Sequence, residues 1–160
     1  MTNDINDSRP ETEAHINKVR GIIATIMLEL SKRYQSHDAS KLEEPEKPYF
    51  DKATSKLKGL SYGSEEYKQA LRDIRPALDH HYSNNSHHPE HFNKDGISGM
   101  TLIDLVEMFC DWCAASHRHE DGDIFKSISS NSKRFGYDAV LAKILENIAK
   151  KYNIGKSSND

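Results

Sequence analysis

The sequence has only two cysteines, Cys110 and Cys113, three residues apart. That excludes a disulfide framework and points to a reducing, cytoplasmic setting. It has no apolar run near the roughly 18 residues of a membrane span. The polar, acidic start of the chain is not a secretory leader. Positive charge is not in excess: 22 Lys and Arg stand against 25 Asp and Glu, a formal net charge of −3 over 160 residues. Such a balance argues against gripping a nucleic-acid strand or an anionic membrane, both of which reward clustered cations. Runs of β-branched residues with period-two alternation are missing, so strands are not expected. Also absent are a glycine-rich phosphate loop, a nucleophile elbow and a dinucleotide fingerprint.

The chain is rich in histidine. There are nine, and His80, His81, His87, His88 and His91 fall within twelve residues. Packing and solubility do not call for that density. It points to a metal or acid–base site, against the plainer reading of a polar loop with surface histidines.

Helical periodicity dominates, and the expected class is all-α, a compact domain of five or six helices over residues 11–154. Polar tails at 1–10 and 155–160 flank it. His15, Val19, Ile22, Ile26 and Leu30 step by 4, 3, 4 and 4, one face of a first helix, so His15 is expected to begin a buried stripe. Tyr67, Leu71, Ile74, Leu78 and His81 do the same in a third helix starting after Ser64, with Pro76 expected to kink it. His81 lies on that apolar face and His80 does not. A later helix starts at Thr101 with Asp104 as a variant capping box. It carries Leu102, Leu105, Val106, Phe109 and Cys113 on one side and Asp104, Glu107 and Asp111 on the other.

The adjacent pair His37-Asp38 sits where the first helix gives way to a turn. An imidazole beside a carboxylate suits a borderline divalent ion such as Mn, Fe, Co, Ni or Zn. Read with His15 and Asp111, the chain order is His, His-Asp, Asp. Two helices and a turn would then converge on one ion, with positions left for water. The alternative for each residue taken alone is a solvated turn, a satisfied core histidine or a solvated helix face.

This order resembles the HD-domain superfamily of metal-dependent phosphohydrolases, which are all-α. Three segments, HDASK from His37 to Lys41, HYSNNSHHPE from His81 to Glu90 and EMFCDW from Glu107 to Trp112, resemble more closely a small uncharacterised family of bacteria and their phages. The likeness spans about His15 to Trp112. It implies His15, His37, Asp38 and Asp111 as metal ligands. His81 and His88 would hold a second ion or contact substrate. Lys41 and His87 would stabilise phosphoryl oxygens, and Asn85 would hold substrate or orient the loop. Glu107 would serve as ligand, as partner of a ligand histidine or as general base. Arg72, Arg75 and Arg118 are candidate phosphate clamps or surface residues. One ion or two remains open. The implied reaction is hydrolysis of a phosphate ester or anhydride of a small molecule, a nucleotide by the superfamily likeness, with activity falling in acid as ligands protonate. A non-catalytic nucleotide or metal binder is the alternative, and a homo-oligomer is compatible with either.

A competing reading takes Cys110, Cys113, His117 and His119 as a zinc site. Both cysteines fall inside a continuous predicted helix, whereas structural zinc sites draw their cysteine pair from a turn.

Overall fold

The computed structural model describes residues 7–57, 60, 64–118 and 122–154. Among them there are helices and no strands, so the chain is all-α. It divides into two units, Met1–His37 and Asp38–Asp160.

Among the described residues the first unit has a single helix, α1 (Arg9–Ser36), with Pro10 in its first turn, where a missing N–H costs nothing. It starts inside the segment expected to be a tail. No residue of α1 is buried. The expected stripe is therefore corrected: Val19, Ile22 and Ile26 share a face but are 39–56% exposed, and His15 is exposed as well. Within its own unit a lone helix finds no second layer against which to bury a face. The helix is also unbroken, so His15 and His37 lie about 33 Å apart along its axis at 1.5 Å per residue. One ion cannot be held by both, which corrects the expected convergence of this pair.

The second unit opens at Asp38, which adopts the left-handed conformation (φ 55°, ψ 14°) that Asp tolerates better than most residues. A 3-10 turn, Ala39–Leu42, and then α2 (Lys47–Leu57) follow. The expected third helix forms as two. Helix α3 (Glu65–Asp73) is capped by Ser64, whose Oγ accepts from the Tyr67 N–H, and α4 (Arg75–Asn84) restarts with Pro76 in its first turn. Proline has no N–H to continue the ladder, so the kink becomes a break. This adds one helix to the anticipated number.

A 3-10 stretch, Pro89–Gly99, is interrupted by positive φ at Asn93 and Gly96. Helix α5 (Leu102–Ser116) then starts from a complete capping box between Thr101 and Asp104. Helices α6 (Ile124–Phe135) and α7 (Ala139–Tyr152) start from Asp123 and Asp138, which cap their first turns. A left-handed Gly136 (φ 69°) ends α6.

The main core lies among α5, α6 and α7, with Phe109, Cys113, Ile124, Ile128, Tyr137, Leu145 and Ala149 buried together. Ala53, Ala70, Ile74 and Ala77 are buried on α2 to α4. Helix α5 thus has a second buried side. Asp104 and Glu107 are 2% and 9% exposed, while Leu102, expected on the apolar face, is 68% exposed. The acidic stripe points inward.

Candidate metal centre

Four elements of the second unit deliver the site. The left-handed turn at Asp38 supplies a carboxylate, α4 supplies His81, the loop before Pro89 supplies His87 and His88, and α5 supplies Glu107. His81 and His87 are each 1% exposed.

Each of these two histidines hands its Nδ1 to a buried carboxylate. His81 Nδ1 lies 2.9 Å from Glu46 Oε2, and His87 Nδ1 lies 3.1 Å from Glu107 Oε1. A carboxylate only accepts, so Nδ1 carries the proton and, in a neutral ring, Nε2 carries the lone pair. Both Nε2 atoms face one oxygen: Asp38 Oδ1 is 3.2 Å from that of His81 and 3.4 Å from that of His87. His88 Nε2 joins them, 3.0 Å from His81 Nε2. One ligand atom from each of Asp38, His81, His87 and His88 lies within 4.8 Å of the other three.

The supports are polar and buried. Glu46 is 0% exposed; its Oε1 also accepts from His80 Nδ1 at 2.8 Å, and Ser40 Oγ donates to its Oε2 at 3.1 Å. Asn85 Nδ2 donates to Ser40 Oγ at 3.0 Å and to the His81 carbonyl at 2.8 Å, so Asn85 ties the loop to the turn. Lys41 Nζ donates to Asp38 Oδ2 at 2.6 Å and stands over the Phe50 ring. Ser86 Oγ donates to Asp104 Oδ1, joining the histidine loop to the start of α5.

These contacts set the charges. Burial disfavours the Asp38 carboxylate, but His81, His87 and Lys41 outweigh it and hold Asp38 well below the usual range. Burial would lower His87, yet Asp38 and Glu107 push it up to about 9. His88 is pushed down to about 3 by burial and by the neighbouring His87 and His81. An imidazolium at His87, protonated on both nitrogens, stands between Glu107 and Asp38; a bound ion would take the place of its Nε2 proton. Three imidazole nitrogens and one carboxylate oxygen form a donor set that suits borderline divalent metals. A carboxylate behind a ligand histidine is the usual means of fixing its tautomer. The described residues could hold a metal ion here.

Of the residues singled out from sequence, the structure brings Asp38, Lys41, His81, Asn85, His87, His88 and Glu107 together. Asp111 is half-buried, with a carboxylate oxygen within 4.8 Å of one from Asp38. His15 and His37 belong to the first unit and are exposed. His87, anticipated as a substrate group, stands among the ligand atoms, and Glu107 stands behind it. Glu46 was missed: it sits in the run Glu43-Glu44-Pro45-Glu46-Lys47, where nothing local separates a buried glutamate from solvated ones. Arg72 and Arg75 lie on another face, and Arg118 is exposed. For the cysteine alternative, Cys113 is in the core, Cys110 is exposed, and His119 lies outside the described residues.

A protein-family model described as "Family of unknown function (DUF5662)" matches residues 4–151. The chain belongs to this family. Among curated proteins and solved structures nothing matches. The DUF5662 match includes every residue of the centre from Asp38 to Asp111, and its description assigns no activity.

Proposed function

We propose that this DUF5662 chain binds a divalent transition metal through Asp38, His81, His87 and His88, and is a metal-dependent phosphohydrolase acting on a small phosphate ester or anhydride, a nucleotide in the first instance. One observation carries the metal site: two histidines, each backed by its own buried carboxylate, turn their Nε2 atoms on a single Asp38 oxygen. The resemblance of the segments around His37-Asp38 and Asp111 to HD phosphohydrolases supports the reaction, although His15 is not part of this site.

A bound ion would supply positive charge for a phosphoryl oxygen and acidify water. The chain's own groups do the rest. Asp38 supplies an anionic donor, held by Lys41 through its other oxygen. Lys41 Nζ retains protons for a phosphoryl oxygen. Glu46 and Glu107 hold the tautomers of His81 and His87 and prevent ring rotation. Asp111, beside Asp38, is placed to accept a proton. Asp38, His81, His87 and His88 would hold the ion, and an ion that takes more than four donors would have room for substrate and water. The same four would close a tetrahedral zinc site, and that count favours, as a second reading, a binder that does not turn over.

Elemental mass spectrometry on untagged protein, followed by phosphate release from a nucleotide panel with added Mn or Co, tests both parts. About one equivalent of metal, lost in Asp38→Ala with helicity retained by circular dichroism, is expected. No metal uptake from Mn, Co, Ni or Zn would overturn the site. Metal without phosphate release would leave the binder.

A further inference from the structure

Helix α4 shows the metal centre one face, with His81, and shows solvent another. On the second face is a cleft of about 650 Å³, walled by α3, α4, the Pro89–Gly99 segment and α6. That volume is in the range of small-molecule sites.

Three guanidinium groups line it: Arg72, Arg75 and Arg134. Each is steadied by a neighbour. Arg75 Nε donates to Asp79 Oδ1 at 2.6 Å, Arg134 Nη2 to Glu90 Oε1 at 2.6 Å, and Arg72 to Gln69 Oε1 at 2.8 Å through Nη2. Arg75 is held through Nε alone, which leaves its terminal nitrogens to turn to a ligand. Three cations face two carboxylates, Asp79 and Glu90, so the cleft has a positive surplus although the chain as a whole is acidic. A guanidinium fork matches phosphate oxygens in pairs.

The remaining wall is of two kinds. Leu71, Leu78 and the half-buried Tyr82 give it apolar surface. His91 and Glu90 give it acceptors. His91 Nδ1 donates to the Tyr82 carbonyl at 2.9 Å, which leaves Nε2 of the neutral ring with its lone pair. Glu90 Oε2 is buried, but the side chain is 27% exposed and its Oε1, which accepts from Arg134, has a second lone pair for one more donor. A partner that satisfies the whole cleft has an anionic group that bonds to arginines, a compact body that rests on Tyr82, and hydroxyls that donate to His91 and Glu90.

We infer that this cleft is a binding site for a phosphorylated polyol or sugar, with the phosphate on Arg72, Arg75 and Arg134 and hydroxyls on His91 and Glu90, separate from the metal centre. The inference stands on cleft residues alone and does not need the hydrolase reading.

Isothermal titration of metal-stripped full-length protein with ribose 5-phosphate tests it. Saturable binding is expected, with ribose itself failing to bind. Arg75→Gln and Arg134→Gln should each weaken binding about tenfold or more, because a charge-assisted bond is lost. Arg72→Gln, at an exposed position, serves should Arg134→Gln disturb the fold by circular dichroism. No saturable heat up to about 10 mM, weaker than the affinity of any useful site, would overturn the proposal. So would equal binding of ribose, or arginine variants that bind like the parent. Binding that appears only when metal is restored and vanishes in Asp38→Ala would place the phosphate at the metal centre and overturn a separate site. Failure of the hydrolase reading leaves all of these outcomes unchanged.

Discussion

Replacing Glu46 by Gln probes the metal centre without touching a ligand. Glu46 is fully buried and accepts from His81 Nδ1, His80 Nδ1 and Ser40 Oγ. Glutamine keeps the shape but has one acceptor oxygen in place of two. Its NH2 must then face an imidazole N–H, so one of the two histidines loses its partner. The charge that makes His81 a better donor is lost as well. Outer carboxylates of this kind are worth about 10–100-fold in metal affinity, or roughly 1.4–2.7 kcal/mol. Glu107→Gln should cost a similar factor through His87, to which Glu107 is bonded at 3.1 Å. The two carboxylates orient different rings, so the double variant should approach the product of the two losses, about 10²–10⁴-fold. Competition against a chromophoric chelator, with Zn and Mn in turn, gives each affinity, and urea melts of stripped protein give fold stability. A purely structural role would move the urea midpoint and leave the affinity of folded protein alone. Affinities within about twofold of the parent in both single variants would refute the argument that these carboxylates set the ligands.

His81→Ala should lose metal by more than about 100-fold, because it removes a donor, whereas His80→Ala should cost less than about tenfold. His80 is 40% exposed at its side chain and touches the centre only through Glu46; equal losses in the chelator titration would break the assignment of faces on α4. Cys113 is 3% exposed, and burial pushes its thiol up to about 12, so Ellman's reagent at pH 8 should label Cys110 alone in native protein and both thiols in urea; two fast thiols in the native state would contradict the packing of α5. A methyl on Gly99 would meet Phe92 Cβ at 2.8 Å, an atom too near its own backbone to swing away. Gly99→Ala should therefore cost about 1–3 kcal/mol, and an unchanged melting temperature would show that the Pro89–Gly99 segment is not so closely packed.

The sequence carried more of the fold than of the site. Spacings of three and four gave helices because a helix needs only local regularity. The Ser64, Thr101 and Asp104 signals are equally local, since a cap acts within one turn. Pro76 was legible as a disturbance, but break and kink differ only in whether α3 and α4 find separate packing. The stripe on α1 was legible as a stripe, yet periodicity cannot say what covers it, and no residue of that helix is buried.

For the centre, the motifs HDASK, HYSNNSHHPE and EMFCDW marked the residues, because imidazole and carboxylate density is visible without a structure. The helical step pointed His81 inward, and it is buried on α4 with Ala77 one turn before it, whereas Leu71 and Leu78 of the expected stripe line the solvent-facing cleft. The resemblance put His88 at an ion or substrate and His87 at the phosphoryl oxygens, and the helical period could not test this, since a loop has no period from which to read direction. Sequence could not find Glu46, which lies 35 residues before His81 and is bonded to it. By itself, then, the sequence determined the helical class, the caps at Ser64 and Thr101, and the kinds of donor available. Only the tertiary structure decided which donors meet, because convergence on Asp38 Oδ1 depends on how a left-handed turn, a helix face, a loop and the inward acidic side of α5 pack. Long-range packing energies of that kind are not encoded at any fixed spacing along the chain.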